Sequence, residues 1–160
     1  MKTTTHHLLL LGVILLLASG FIQKTPTQDS YLIFGRFYKD CVGGECMKLY
    51  KLENNSLYEF LEDSTNYPSF NQFHTGDFRK LSQEKYNRIS TLAASIPQEL
   101  LEIKSGFVGK TDHNWSGYYI EYAKGGERKF WIFDEARRDV PPAYLPLLNE
   151  IEKSLNEVKQ

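Results

Sequence analysis

Two cysteines, Cys41 and Cys46, stand at the lips of the stretch CVGGEC and are the only cysteines in the chain. An even number of them behind an export-type leader points to a disulfide. The residues between them, Val-Gly-Gly-Glu, suit a hairpin loop. Cysteines flanking such a loop can face each other across two strands at separations that a disulfide accepts. So small a ring stabilises by only about 2 kcal/mol on chain-entropy grounds, so the bond would clasp the hairpin rather than hold the domain together. Other chemistries of paired thiolates fit less well. A zinc site needs about four ligands, and the histidines that would complete it, His74 and His113, lie far along the chain. A redox pair has two residues between its cysteines and a helix start beneath the first. Neither a metal nor a cofactor is expected.

A second set of reactive types lies in TDHNWS, where Asp112 and His113 are adjacent and Ser116 is near. His74, in FHTGDF, adds a further imidazole. His74, Asp112 and His113 are therefore the candidates for a small hydrolase. Adjacent residues do not orient one another as a catalytic triad requires, and neither Gly-x-Ser-x-Gly nor His-Glu-x-x-His occurs. A polar loop whose aspartate bonds its own backbone, and a turn or bulge at Gly76, account for the same residues without catalysis. Glu59 and Glu62 could pair as glycosidase carboxylates, but in a strand they point to opposite faces. An enzyme is the less expected outcome.

The elements that would position these residues read as α+β. Tyr31 to Tyr38 is apolar on both faces apart from Gly35 and Arg36, which predicts a central strand. Cys46 to Glu53 and Leu57 to Glu62 follow, joined at Asn54-Asn55, residues that tolerate the left-handed turn conformation. These three strands form a meander. Asp63 to Phe73 is a loop rich in aromatics, expected to fold down onto the sheet, and a fourth strand is weakly indicated near His74 to Lys80. Ser82 caps a helix, Leu81 and Tyr86 have the spacing of a hydrophobic staple, and Tyr86, Ile89, Ala93 and Ile96 form its apolar face. Pro97 stops it and can open a short second helix. Lys104 to Ser116 reads as loop. Gly117 to Ala123 and Glu127 to Phe133 read as a hairpin turning at Gly125-Gly126, with Tyr118, Ile120, Tyr122, Phe130 and Ile132 on one face. The last helix lies between Pro142 and Lys159, with Pro146 in its first turn and Leu147, Leu148, Ile151, Leu155 and Val158 as its stripe. The expectation is an antiparallel sheet of five or six strands, meander plus hairpin, packed against two main helices.

The amino terminus places the chain. Lys2, the apolar run from Leu8 to Ala18 and the small residues Ala18-Ser19-Gly20 have the three-part layout of a signal peptide. The run is shorter than the roughly 20 residues of a membrane span. Residues 1–20 are therefore expected to be a cleaved leader, 21–30 a disordered lead-in, and 31–160 a single domain. The protein would be secreted or periplasmic, or else held at the membrane by an uncleaved leader. The formal net charge of −1 argues against nucleic acid, which calls for a basic face. Lys124, Arg128, Lys129, Arg137 and Arg138 read as a solvated basic rim. Ten tyrosines and ten phenylalanines suit a sheet with half-buried rings.

The order of features resembles a family of small bacterial cell-envelope domains of unknown function. The matching pieces are CVGGEC with Tyr50, GDFRKLSQE, Asp112 and PAYLPLLNEIE. The resemblance implies an envelope compartment and an α+β fold, and brings no activity, cofactor or site with it.

The expected function is a non-catalytic binding module whose partner is an envelope protein or a glycan. Tyr67, Phe70, Phe107 and Trp115, in the two aromatic-bearing loops, are the candidate contact residues. The alternatives are the small hydrolase and a structural component of the envelope.

Overall fold

The structure is a computed structural model that describes residues 30–38, 46–61, 72–109 and 116–160. The strands are β1 (Tyr31–Phe37), β2 (Met47–Glu53), β3 (Ser56–Phe60), β4 (Phe78–Lys80), β5 (Gly106–Val108), β6 (Gly117–Lys124) and β7 (Glu127–Asp134). The helices are α1 (Gln83–Ile89), α2 (Gln98–Glu102) and α3 (Leu145–Lys159), with short 3-10 turns at Leu92–Ser95 and Pro142–Tyr144. All seven strands form one sheet in the order β4-β3-β2-β1-β6-β7-β5.

The α+β architecture is as expected, but the sheet is larger and mixed. Its neighbours are antiparallel except for β5, which runs parallel to β7 along one edge. β5 falls inside the stretch expected to be loop. Three residues opened by a glycine carry no alternation that could mark them as a strand; pairing with β7 makes the strand. The first helix also departs from expectation. It ends at Ile89, and Leu92, Ala93 and Ile96 reach the core through the 3-10 turn and its exit rather than along one α-helical face. With the short second helix, the described residues hold three α-helices. Ser82 does cap α1, its hydroxyl accepting from the Lys85 N–H at 3.4 Å. Pro146 lies in the first turn of α3.

β1 occupies the middle of the sheet, which explains why it is apolar on both sides. Gly35 is the exception that this position requires. A Cβ there would come within 2.0 Å of the Lys48 carbonyl oxygen and 2.8 Å of the Leu49 Cα, so the β1–β2 spacing admits only glycine. Two turns set the neighbouring registers. Asn54 and Asn55, at φ 49° and 55°, make a two-residue hairpin in the left-handed region, the geometry that follows the sheet twist. The equally short Gly125-Gly126 turn pairs Lys124 with Glu127, and hence Tyr118 with Phe133 and Ile120 with Trp131. Phe130 and Ile132 therefore share a face with Tyr119, not with Tyr118 and Ile120 as expected. A two-residue turn always pairs an even position with an odd one, so each face mixes the two.

The two faces carry separate cores. On one, Leu32, Phe34, Tyr50, Leu57, Tyr118, Ile120, Trp131 and Phe133 pack beneath the helices, with Leu147, Leu148, Ile151, Leu155 and Val158 of α3 above them. This is the helix face. On the second face, Ile33, Phe37, Leu49, Phe60, Tyr119, Phe130 and Ile132 form the floor. No helix covers it. Phe73, at the end of the aromatic loop, folds down as expected and packs edge-on against Phe130 at 5.3 Å. Gly76 follows closely enough that a Cβ would lie 2.3 Å from the Phe60 ring. Residues 72–77 thus make a strap across the second face.

Candidate functional site

The strap is fastened by a carboxylate that sequence reasoning did not single out. Glu121 lies on β6, wholly buried, on the second face. One of its oxygens accepts from the Tyr31 hydroxyl at 2.7 Å and from Arg128 Nε at 2.8 Å, with Arg128 Nη2 at 2.7 Å. The other accepts from the Tyr119 hydroxyl and from the His74 backbone N–H at 3.0 Å. Arg128 also donates to the His74 carbonyl at 3.3 Å, and the His74 N–H is shared with the Tyr119 hydroxyl at 3.0 Å. One residue of the strap is therefore held at both its backbone polar groups. Burial, together with the Glu121 hydrogen bond and charge, pushes the phenols of Tyr31 and Tyr119 well above their ordinary range. Both therefore donate through the physiological range. A signal for this network was present in the sequence. Glu121 is the one acid within YYIEYAK, and Arg128 sits diagonally across the short hairpin, opposite Ala123.

Around this floor is a rim of half-buried rings topped by cations. The Arg128 guanidinium lies 4.2 Å from the Phe73 ring centroid and 5.8 Å from that of Tyr31. The Lys51 ammonium lies between Tyr31, Tyr58 and Phe78, at 5.6, 5.6 and 5.5 Å, and pairs with Glu53 at 2.8 Å. Each is within cation–π range. Of the expected solvated basic rim, Lys124, Arg128 and Arg138 are exposed, but two of its arginines are engaged in ion pairs. Arg128 is tied to Glu121, and Arg137 is tied to Glu152 at 2.6 Å.

Arg137 belongs to a second polar cluster, on the helix face. Rings and guanidinium groups alternate there as Tyr38, Arg36, Tyr118 and Arg137, with centroid distances of 5.4, 5.2 and 5.1 Å. Arg36 pairs with Glu135 and, at 3.6 Å, with Glu152. Arg137 donates to the Tyr118 hydroxyl at 2.6 Å and to Asn149 at 2.7 Å. Burial opposes the charge on Arg36 and on Arg137. Tyr118 and the neighbouring carboxylates outweigh it, and both guanidinium groups are held above their usual pKa. Each of these two carboxylates, Glu135 and Glu152, faces an arginine.

His74 is the one candidate catalytic residue among the described residues. Its ring packs edge-on against Phe60 at 4.4 Å, Phe78 at 6.0 Å and Tyr119 at 6.1 Å. Asp112 and His113 lie outside the described residues, as do the contact candidates Tyr67, Phe70 and Trp115. Phe107 is described, on β5, and packs against the second-face core. Glu59 is engaged by Arg79 at 2.8 Å and Lys48 at 3.6 Å, and Glu62 is outside the described residues. Cys41 is also outside them. Cys46 is within them: its carbonyl accepts from the Tyr38 N–H at 2.8 Å, one step beyond the Phe37–Met47 pair, so the β1–β2 hairpin keeps its register up to the cysteine-bearing lip.

Among the described residues no group of three or more His, Cys, Asp or Glu could hold a metal ion, and no helix is long and apolar enough to cross a membrane. The expected leader, residues 1–20, lies outside the described residues. In comparisons with known proteins, no protein family matches the chain and no curated protein matches it.

Proposed function

We propose that the chain is a secreted or periplasmic, non-catalytic module that binds an envelope protein or glycan on the second face of its sheet. The observation that supports this is the rim of rings and cations. Tyr31, Tyr58, Phe73 and Phe78 present half-buried ring faces, and Lys51 and Arg128 rest on them. The floor beneath is locked by Glu121, so the rings are held in place before a partner arrives, and less freedom is lost on binding. Flat rings suit sugar faces and protein contacts alike, and the cations favour acidic partners. Phe107 packs against the core of the same face. A hydrolase gains no support from His74, whose ring is enclosed by other rings and whose backbone fastens the strap.

A panel of envelope glycans and purified envelope proteins, probed with the wild-type chain and with Tyr58→Ala, tests this surface. At least one class should bind the wild type and weaken about tenfold or more in the variant, the effect expected of an aromatic anchor. If both chains behave alike across the panel, the second face is not the contact surface.

We also propose the clasp between Cys41 and Cys46 as the mark of an oxidising compartment. The paired hairpin up to Cys46 supports it, and no free cysteine occurs among the described residues. Thiol titration of the unreduced, unfolded chain should find no reactive thiol. Two titratable thiols would show the clasp to be open.

A further inference from the structure

On the helix face, a groove of about 420 Å³ runs between β2, the start of α1 and the end of α3. We propose that it binds a phosphate-bearing ligand, a phosphate monoester or diester group. Three lysines reach it from three separate elements: Lys48 on β2, Lys85 on α1 and Lys159 at the end of α3. The whole chain carries a net charge of −1, so this local excess of cations does not follow from composition.

Two features oppose an anion there, and both are already answered. The one carboxylate lining the groove among the described residues, Glu59, is held by Arg79 at 2.8 Å and stands 3.6 Å from Lys48. The end of α3 carries the partial negative charge of its last carbonyls. Lys85 donates to the Val158 carbonyl, and Arg88 donates to the Glu157 carbonyl at 3.3 Å. Lys48, the more distant of the two cations on Glu59, and Lys159, which lines the groove, are then the ammonium groups left for a ligand. Lysines are compact point charges that suit a tetrahedral phosphate, whereas planar carboxylates favour the paired donors of arginine. Tyr50 and Leu81 also line the groove, and they give an apolar contact to whatever carries the phosphate. The groove lies on the helix face, so it does not depend on the partner proposed for the second face.

The test has two arms, both on the folded chain. In one, inorganic phosphate is titrated while backbone amide resonances are followed. In the other, the chain is sedimented with phosphatidylglycerol vesicles, with phosphatidylcholine vesicles as control. Binding should shift the amides of Lys48, Lys85 and Lys159 saturably and weaken as salt is raised. Lys48→Gln and Lys159→Gln should each weaken it about tenfold, the scale of one charge-assisted hydrogen bond, while Glu59→Gln should tighten it. Saturation by phosphate without vesicle binding identifies a soluble phosphorylated ligand. Vesicle binding lost in Lys48→Gln identifies a lipid headgroup. If neither probe binds, or if both lysine variants bind like the wild type, the groove is not an anion site.

Discussion

Gly35→Ala is expected to cost the protein most or all of its stability. The added Cβ would sit 2.0 Å from the Lys48 carbonyl oxygen and 2.8 Å from the Leu49 Cα. These are main-chain atoms of the adjoining strand, so no rotamer change relieves the clash. β1 and β2 must part at the centre of the sheet, where Phe34 and Leu49 are wholly buried. Overpacking against side chains typically costs about 1–3 kcal/mol. Against a paired backbone the cost lies at or above the top of that range, a large part of the roughly 5–15 kcal/mol that holds a domain together. Denaturant midpoints, or the yield of soluble protein where the variant does not fold, measure it. A loss under about 1 kcal/mol would mean that the two strands separate far more easily than their register implies.

Glu121→Ala is expected to lose about 1–3 kcal/mol, the cost of leaving buried donors without their acceptor, because the exposed Arg128 can turn to water. Arg128 loses its carboxylate, the hydroxyls of Tyr31 and Tyr119 lose an acceptor, and the His74 N–H keeps only Tyr119. The strap should loosen as well, raising hydrogen exchange at His74 above that of the β6 amides. The double variant Glu121→Leu with Arg128→Met removes both charges together, and any recovery over Glu121→Ala measures what the unpaired guanidinium costs. Equal instability of the single and double variants would show that the arginine is not the burden, and that the tyrosines or the strap are.

Much of this architecture was legible because local signals agreed with it. Asn54-Asn55, Gly125-Gly126 and Ser82 each name a turn or cap whose chemistry is contained in a few adjacent residues. The apolar run around Phe34 named a central strand for the same reason. β5 was not legible, since Gly106 to Val108 becomes a strand only by lying beside Trp131 to Phe133. The sharing of faces in the last hairpin was legible in principle, from the parity of a two-residue turn. The candidate site was less so. His74 drew notice as an imidazole, but what the structure uses is its backbone, whose hydrogen bonding no residue type reveals. Glu121 and Arg36 were the stronger clues, as charges set within otherwise apolar strands. A buried charge must find its partner within the fold, and both do.

The middle position of β1 also sets the order in which the sheet can be completed. β1 is the first of the described strands, yet it pairs with β2 on one side and with β6 on the other. Phe37 meets Met47 across a local hairpin, but on its other side it meets Gly117. The meander can close early. One edge of β1 then stays open until β6 arrives, with Leu32, Ile33 and Phe34 still short of their final burial. Closing that long loop before any contact rewards it slows folding, and an apolar strand with an open edge is what aggregates in the meantime. Until Gly117 to Lys124 has followed, the sheet cannot be finished, and the edge of β1 that will meet β6 stays unpaired.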